Sequence, residues 1–405
     1  MSHPLPRRAH QSLVRYLAEA RRHRPVGTVV SGHHNTNRIA AVGQPLAFLL
    51  GLRSGRDLAK FRTPLPTVEV VPRIWPREGD VLRAVGRHVG GVPRCLADFG
   101  EWSLHTYLAG FALVDEVPHG PVGSERLAAL ADFFARLADV RSDDLPPLPA
   151  DWPDDGDSRG FLSWLHRFTD VEVHQANRPS FGELFDAVGV TREVVERFMT
   201  SVPELSPRPF ALVHTDVHRA NVLVVEDEEG ARLSVIDWEL ALYGDPLHDL
   251  ATHLVRMAYD KAEHELMVRM WRDAMCGANH ADMTVGLDHD LAVYLRFEYA
   301  QSVFPDIMRA ALALPEGPAE EDLAEAAERI RRALHRAREP LALVDVPDVR
   351  HTMDALRRWQ AADAARKRRE ADVVPDGLTG PDVLGSPPNA VAHPEAAPRM
   401  ETHAR

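Results

Sequence analysis

Asp216 and Asn221 stand five positions apart in Ala211-Leu-Val-His214-Thr215-Asp216-Val-His218-Arg219-Ala-Asn221, and Asp237 follows the next pair of apolar runs. An ordered carboxylate, carboxamide and carboxylate suits phosphoryl transfer from a metal-bound nucleotide. Asp216 would orient an acceptor hydroxyl and take its proton, the Asn221 amide oxygen would hold one Mg²⁺, and Asp237 would bridge metal to phosphates. His214 is expected to brace the loop from beneath rather than touch substrate. A single Asp near a strand end is usually a cap or turn former, so the ordered set carries the reading.

The elements that must hold this set are legible around it. Residues 222–225 and 233–236 are β-branched and apolar and flank the turn-like Glu226-Asp-Glu-Glu-Gly230, which predicts a hairpin. Far upstream, residues 25–30, 31–37 and 38–42 predict strand, loop and strand, and the loop with Ser31, Gly32 and Asn37 is a candidate cover for phosphates. Gly32 is its only glycine, so the full Gly-x-Gly-x-x-Gly pattern is absent. The tandem His33-His34 is not read as a metal site, because neighbouring side chains point apart and no partner pair has ligand spacing.

Lysine is scarce: only Lys60, Lys261 and Lys367 occur, and arginine supplies the rest of the 47 basic residues. Lys60 lies in the strand-like Asp57-Leu-Ala-Lys60-Phe-Arg62, where an ammonium could reach phosphates and pair with a helix carboxylate. The expected partner is Glu78, 18 positions on, at the start of a helix over residues 77–86 with Val81, Leu82 and Val85 on one face. Asp80 is the rival partner, and Arg73 is too close to Glu78 to be the strand cation. Residues 92–99 and 102–108 read as two more strands. Helices are predicted at 161–168, 191–199, 248–257, 262–275, 288–302 and 319–338, with another after Ser124 where Leu127, Leu130, Phe134 and Leu137 recur at helical spacing.

The catalytic stretch resembles the aminoglycoside phosphotransferase and choline kinase-like enzymes, small-molecule relatives of the protein kinases. Their loop runs His-Gly-Asp-x-x-x-x-Asn, then, after a hairpin, Ile-Asp-Trp/Phe-Glu; here His214, Asp216, Asn221, Ile236, Asp237, Trp238 and Glu239 match. Gly244-Asp245-Pro246-Leu-His-Asp249-Leu250-Ala251 matches their Gly-Asp-Pro-x-x-Asp-Leu-Ala segment, and Ser31, Gly32 and Asn37 are similar to their Ser-Gly turn followed by Asn. Thr215 departs from the family's Gly and adds a Cβ beside the reactive centre.

The resemblance covers roughly residues 25–340 and implies an α+β, two-lobed protein-kinase-like fold. A small antiparallel-sheet lobe is expected over 1–110, a larger, mainly helical lobe over 111–360, and, from composition, a disordered tail over 361–405. It implies ATP and Mg²⁺. Asp216, Lys60, Glu78 and His214 would serve catalysis, and Asn221 and Asp237 would hold metal. Ser31, Gly32, Asn37, Lys60 and a hinge at Tyr107 and Leu108 would bind nucleotide, while Asp249 would fix the catalytic loop. The acceptor it implies is a hydroxylated small molecule, an aminoglycoside or amino sugar first, with choline-like amino alcohols, sugars, homoserine and macrolides open. Asp260, Glu263 and Glu298 are candidate carboxylates for cationic amines. Protein acceptors are disfavoured, since no Ala-Pro-Glu segment follows Asp237.

Composition bounds the rest. A net charge of −13 disfavours nucleic acid, and the absence of a long apolar run or an apolar leader predicts a cytoplasmic chain with no membrane partner. Cys95 and Cys276 show no paired spacing, so two reduced thiols are expected. Two other classes stay open: a metal-dependent hydrolase on His214, Asp216 and His218, which lie at i, i+2 and i+4, and an inactive kinase-like binding module.

Overall fold

Lys60 and Arg62 lie on one face of their strand and Ala59 and Phe61 on the other, because successive side chains alternate across a β-strand. Ala59 and Phe61 are buried in an apolar core with Val14, Ala18, Leu46, Ala47, Trp102 and Leu104. The cationic face is thereby left to the site.

In the computed structural model, which describes residues 7–24, 26–31, 35–65, 70–227 and 230–373, the elements follow in chain order. The first are α1 (Arg7–Arg22), β1 (Thr28–Ser31), β2 (Asn35–Ala41), α2 (Gln44–Leu49), β3 (Leu58–Pro64), α3 (Glu78–His88), β4 (Cys95–Asp98) and β5 (Ser103–Thr106). Then come β6 (Phe111–Ala112), α4 (Leu113–Glu116), α5 (Ser124–Leu137), α6 (Ser158–Phe168), a π-helical segment (Thr169–Gln175), α7 (Ala176–Ala187) and α8 (Arg192–Thr200). The hairpin region holds β7 (Ala211–Val213), β8 (Val222–Asp227), β9 (Gly230–Val235) and β10 (Leu242–Gly244). Last are α9 (Pro246–Met257), α10 (Lys261–Gly277), α11 (Leu287–Leu312), α12 (Glu320–Ala337) and α13 (Val349–Val373).

The described parts of residues 1–161 and 205–291 form one compact unit, and those of 162–204 and 292–405 a second. In the first, β1-β2-β3-β5-β4 is an antiparallel sheet of five strands. α3 buries Gly79, Val81, Leu82, Ala84 and Val85. Gly79 is required by contact, since a Cβ there would meet Cys95 Sγ at 2.7 Å. β8 and β9 form the expected hairpin, paired from Val222↔Val235 to Asp227↔Gly230, and β6 adds to β8. Gly110, just before β6, has no room for a Cβ, which would lie 2.5 Å from Val224 O. Leu127, Leu130, Phe134 and Leu137 are buried on α5 as their spacing predicted.

Several expectations shift. β2 begins at Asn35, so Asn35–Asn37 belong to a strand rather than to the phosphate-covering loop, whose residues Gly32, His33 and His34 lie outside the described residues. Helices α1, α7 and α13 were not foreseen. In the second unit α13 runs on to Val373, so residues 361–373 are helical rather than tail; Trp359 anchors it, stacked on Phe181 at 5.4 Å and donating to Ser180 O at 2.9 Å. The residues from 374 on lie outside the described ones. Among the described residues no helix is long and apolar enough to cross a membrane.

Burial of imidazoles makes the fold acid-sensitive. It pushes His105 and His248 down to about 3 and His166, His214 and His253 down to about 4. A depressed histidine stabilises the fold above its unfolded value of about 6.5 and loses that contribution as pH falls toward the folded value. Asp249 has the opposite sign, for burial pushes it up to about 7, and its contribution is lost as pH rises through that value. These five against Asp249 should take up roughly three to four protons net on unfolding near pH 5, and His174 and His264, also lowered by burial, act in the same direction. The melting temperature is therefore expected to fall steeply between about pH 6.5 and pH 4.5, and a flat profile in a thermal scan series would mean that these rings are solvated.

Candidate active site

β7 carries the chain into the catalytic loop, and α9 holds that loop in place. Asp249 on α9 is buried and accepts the backbone N–H of His214 and of Thr215, each at 2.8 Å. Asp245 caps α9 by accepting Leu247 N–H at 2.9 Å, and its other oxygen faces the buried Arg208 at 2.7 Å. His214 is fully buried. Its Nδ1 accepts the Asp216 N–H and its Nε2 lies 3.2 Å from Ile236 O, which ties the loop to the segment after β9. Both ring nitrogens are spent, so the geometry lends no support to a metal hydrolase built on His214.

Thr215 adopts the left-handed conformation, φ 61°, that glycine would take freely. Its hydroxyl donates to Leu240 O at 2.7 Å, which offsets a penalty of about 1–2 kcal/mol. Thr215→Gly should stay within about 1 kcal/mol of the parent, since relief of strain balances the lost bond. Thr215→Val keeps the strain and leaves a buried carbonyl unpaired, so it should lose about 1–3 kcal/mol. Denaturant melts of the two variants check this, and the reverse order would refute the role given to the hydroxyl.

Asp216 is spent on three donors. Asn221 Nδ2 donates to Oδ2 at 2.9 Å and to the Asp216 carbonyl at 3.0 Å, while Arg256 Nη1 on α9 and His218 Nε2, at 3.5 Å, face Oδ1. Burial alone would raise this carboxyl, but Arg256 and then His218 outweigh it and hold Asp216 well below the usual carboxylate range.

The second constellation gathers three carboxylates around Arg62. Its guanidinium lies 3.0 Å from Glu78 on α3, 2.6 Å from Asp237 and 2.9 Å from Glu239. These are charge contacts more than aligned hydrogen bonds, for Arg62 Nη2 and Glu78 Oε2 find no partner at hydrogen-bond angles. Burial opposes the charge on Arg62, yet the three carboxylates win and raise its pKa. Glu239 also faces Arg73 at 3.1 Å and accepts from Asn35 Nδ2 at 3.1 Å, and Glu78 Oε1 accepts Trp238 N–H at 2.9 Å. Sheet, α3 and the segment after the hairpin are thus tied at one point.

The expected Lys60–Glu78 pair is not what forms. Glu78 does return over β3, but Arg62, two positions along the same face, takes it. Lys60 has no carboxylate within 4 Å among the described residues; burial and then Arg62 lower its pKa. Asp80, the rival, faces Arg77 at 3.2 Å and Arg83 at 2.5 Å at the surface. Arg73 lies in a loop rather than a strand. Strand alternation makes Arg62 a second candidate on the Lys60 face without choosing between the two; Asn35, Glu239 and Arg256 had no signal beyond the Ile-Asp-Trp-Glu match for Glu239.

The oxygens present fit Mg²⁺. Asn221 Nδ2 is committed to Asp216, and Asp237 uses Oδ1 on Arg62. The Asn221 amide oxygen and Asp237 Oδ2 make no hydrogen bond or ion pair among the described residues, and hard oxygens are what this cation takes, with waters and phosphates completing it. Asp237 has φ 72°, a conformation that a short polar side chain tolerates. Ser31 ends β1 opposite Thr36, Asn37 is paired across to Val30 and Arg62, and Tyr107 and Leu108 follow β5 half-buried.

The chain matches the phosphotransferase enzyme family, APH, over residues 48–285, more than half its length. It belongs to that family. It is accordingly a phosphotransferase, and its antiparallel sheet and many helices make an α+β fold. Solved structures similar to it include an ethanolamine kinase from Plasmodium vivax, at 11% identity and TM-score 0.48, covering 80% of this chain and 83% of the other. The GDP and kanamycin complex of APH(2")-IIia is 14% identical at TM-score 0.48, covering 82% and 99%. The choline kinase LicA from Streptococcus pneumoniae is 13% identical at TM-score 0.47, covering 82% and 99%. No curated protein sequence compared with the chain matches it.

Proposed function

We propose that the chain transfers the γ-phosphoryl group of Mg·ATP to a hydroxyl of a small molecule. The observation that carries this reading is the pairing of two constellations in one unit: Asp216 with Asn221 on the catalytic loop, and Asp237 with Arg62 and Glu78 beside it. Bound Mg²⁺ would draw charge from the phosphates, held by Asn221 and Asp237. Asp216 orients the acceptor hydroxyl and receives its proton as the acceptor oxygen bonds to the γ-phosphorus and the bond to the bridging oxygen breaks, releasing ADP. Held ionised by Arg256, Asp216 is a weak base and works chiefly by orientation. Lys60, the half-buried cation with no carboxylate within 4 Å among the described residues, is assigned to the phosphates. Ser31 and Gly32 are assigned to their cover, with Asn37 on the strand that follows it, and Tyr107 and Leu108 to the base. Asp249 and His214 position the loop.

The test is calorimetric. Nucleotide binding should vanish when Mg²⁺ is chelated, because a phosphate chain beside Asp237 and Glu239 is repelled without it. Asp237→Ala should weaken Mg·ATP by at least about tenfold. Equal affinity of this variant and the parent would remove Asp237 from the metal.

A further inference from the structure

The charge around the catalytic carboxylate bears on the acceptor. We infer, resting on the phosphotransferase reading above, that Arg256 makes this an acceptor site for anionic polyols: hydroxylated molecules carrying a carboxylate or phosphate near the hydroxyl that is phosphorylated. A guanidinium has five N–H donors in a planar fork. Among the described residues only Nη1 of Arg256 is committed, to Asp216, and the side chain is 27% exposed. The rest of the fork therefore stands beside the reacting hydroxyl's place, suited to two oxygens of an oxyanion. Arg219, the neighbouring arginine, cannot do this, for its donors go to Val117 O, Gly120 O and Met257 O. His218 adds a second donor on the same side: its Nδ1 accepts Ala220 N–H at 3.2 Å, which leaves Nε2–H toward Asp216.

An ammonium would meet the opposite conditions. The charge of Asp216 is already compensated by Arg256. Asp260, just before α10, caps that helix by accepting Glu263 N–H at 2.9 Å. Glu263 accepts Val122 N–H at 2.7 Å and Gly123 N–H at 2.8 Å, and its other oxygen is sealed from solvent. Asp260 and Glu263 are thus committed to backbone N–H groups.

The experiment uses the full chain, Mg·ATP and matched three- and six-carbon acceptors that differ at one end only: aldonate, sugar phosphate, alditol and aminoalditol. The aldonate or the sugar phosphate should give the highest kcat/KM, and the two arms separate the carboxylate from the phosphate form. Arg256→Gln should lower kcat on every acceptor through its contact with Asp216, and should lose roughly tenfold to a hundredfold more kcat/KM on the anionic member than on the alditol, the extra loss lying mainly in KM. Arg256→Lys, which keeps charge without the fork, should recover part of it. A preference for the aminoalditol, no charge preference, no turnover of any anionic member by protein that binds Mg·ATP, or an equal fall in kcat/KM on every acceptor in Arg256→Gln would overturn the inference. Failure to bind Mg·ATP at all would instead sink the phosphotransfer reading beneath it.

Discussion

Asp216→Asn is expected to lower kcat by about 10²–10⁴-fold while Mg·ATP affinity stays within about twofold of the parent, since the side chain acts on the acceptor rather than on the nucleotide. The geometry sets both halves of this result. Asp216 Oδ1 is where an acceptor hydroxyl must compete with Arg256 and His218, and Oδ2 is already fixed by Asn221 at 2.9 Å. An amide in that place keeps the shape but loses the charge that pairs with Arg256 and cannot take a proton. Arg256 is partly exposed and can rehydrate, so stability should change little. Single-turnover rates and calorimetric affinities measured on the same preparation separate the two quantities. If affinity collapses together with kcat, Asp216 sits on the metal and the division of labour with Asp237 is wrong.

Arg62→Ala is expected to destabilise the protein by about 3–5 kcal/mol, the usual cost of stripping the partner from buried charges. Three carboxylates converge on this guanidinium, and without it Glu78, Asp237 and Glu239 repel one another in a site where Glu78 and Glu239 are nearly sealed from water. Arg62→Lys should recover only part of the loss, because one ammonium cannot span three partners as a planar fork does. Lys60→Ala should behave in the opposite way. It removes no ion pair and should leave the melting temperature nearly unchanged, yet weaken Mg·ATP binding if the ammonium meets the phosphates. Urea unfolding and nucleotide titration of the three variants decide the matter. A Lys60 variant that unfolds early while Arg62→Ala stays folded would restore Lys60 as the partner of Glu78.

The placement of Asp216, Asn221 and Asp237 was legible in the chain because it is local. Asp216 and Asn221 are five positions apart and Asp237 follows a hairpin whose β-branched runs and Gly230 announce it, so one short stretch specifies both residue types and their mutual placement. Helix α5 was legible for a related reason: its apolar positions recur at the helical period, and burial requires nothing else. Glu78 too was found from the chain, as an acid at the start of a helix within reach of a strand.

Which cation meets Glu78 was decided by the tertiary structure. Lys60 and Arg62 share one face of β3, and a shift of two positions moves a side chain roughly 7 Å along a strand without changing its face, so periodicity cannot choose between them. The register of β3 against β2 and β5, set by main-chain pairing and by Phe61 entering the core, carries Arg62 to the three carboxylates. The same holds for Asn35 and Glu239, 204 positions apart, and for Arg256 on Asp216 across the loop from α9. These contacts have no spacing to read, because they arise only when separate elements are packed against one another.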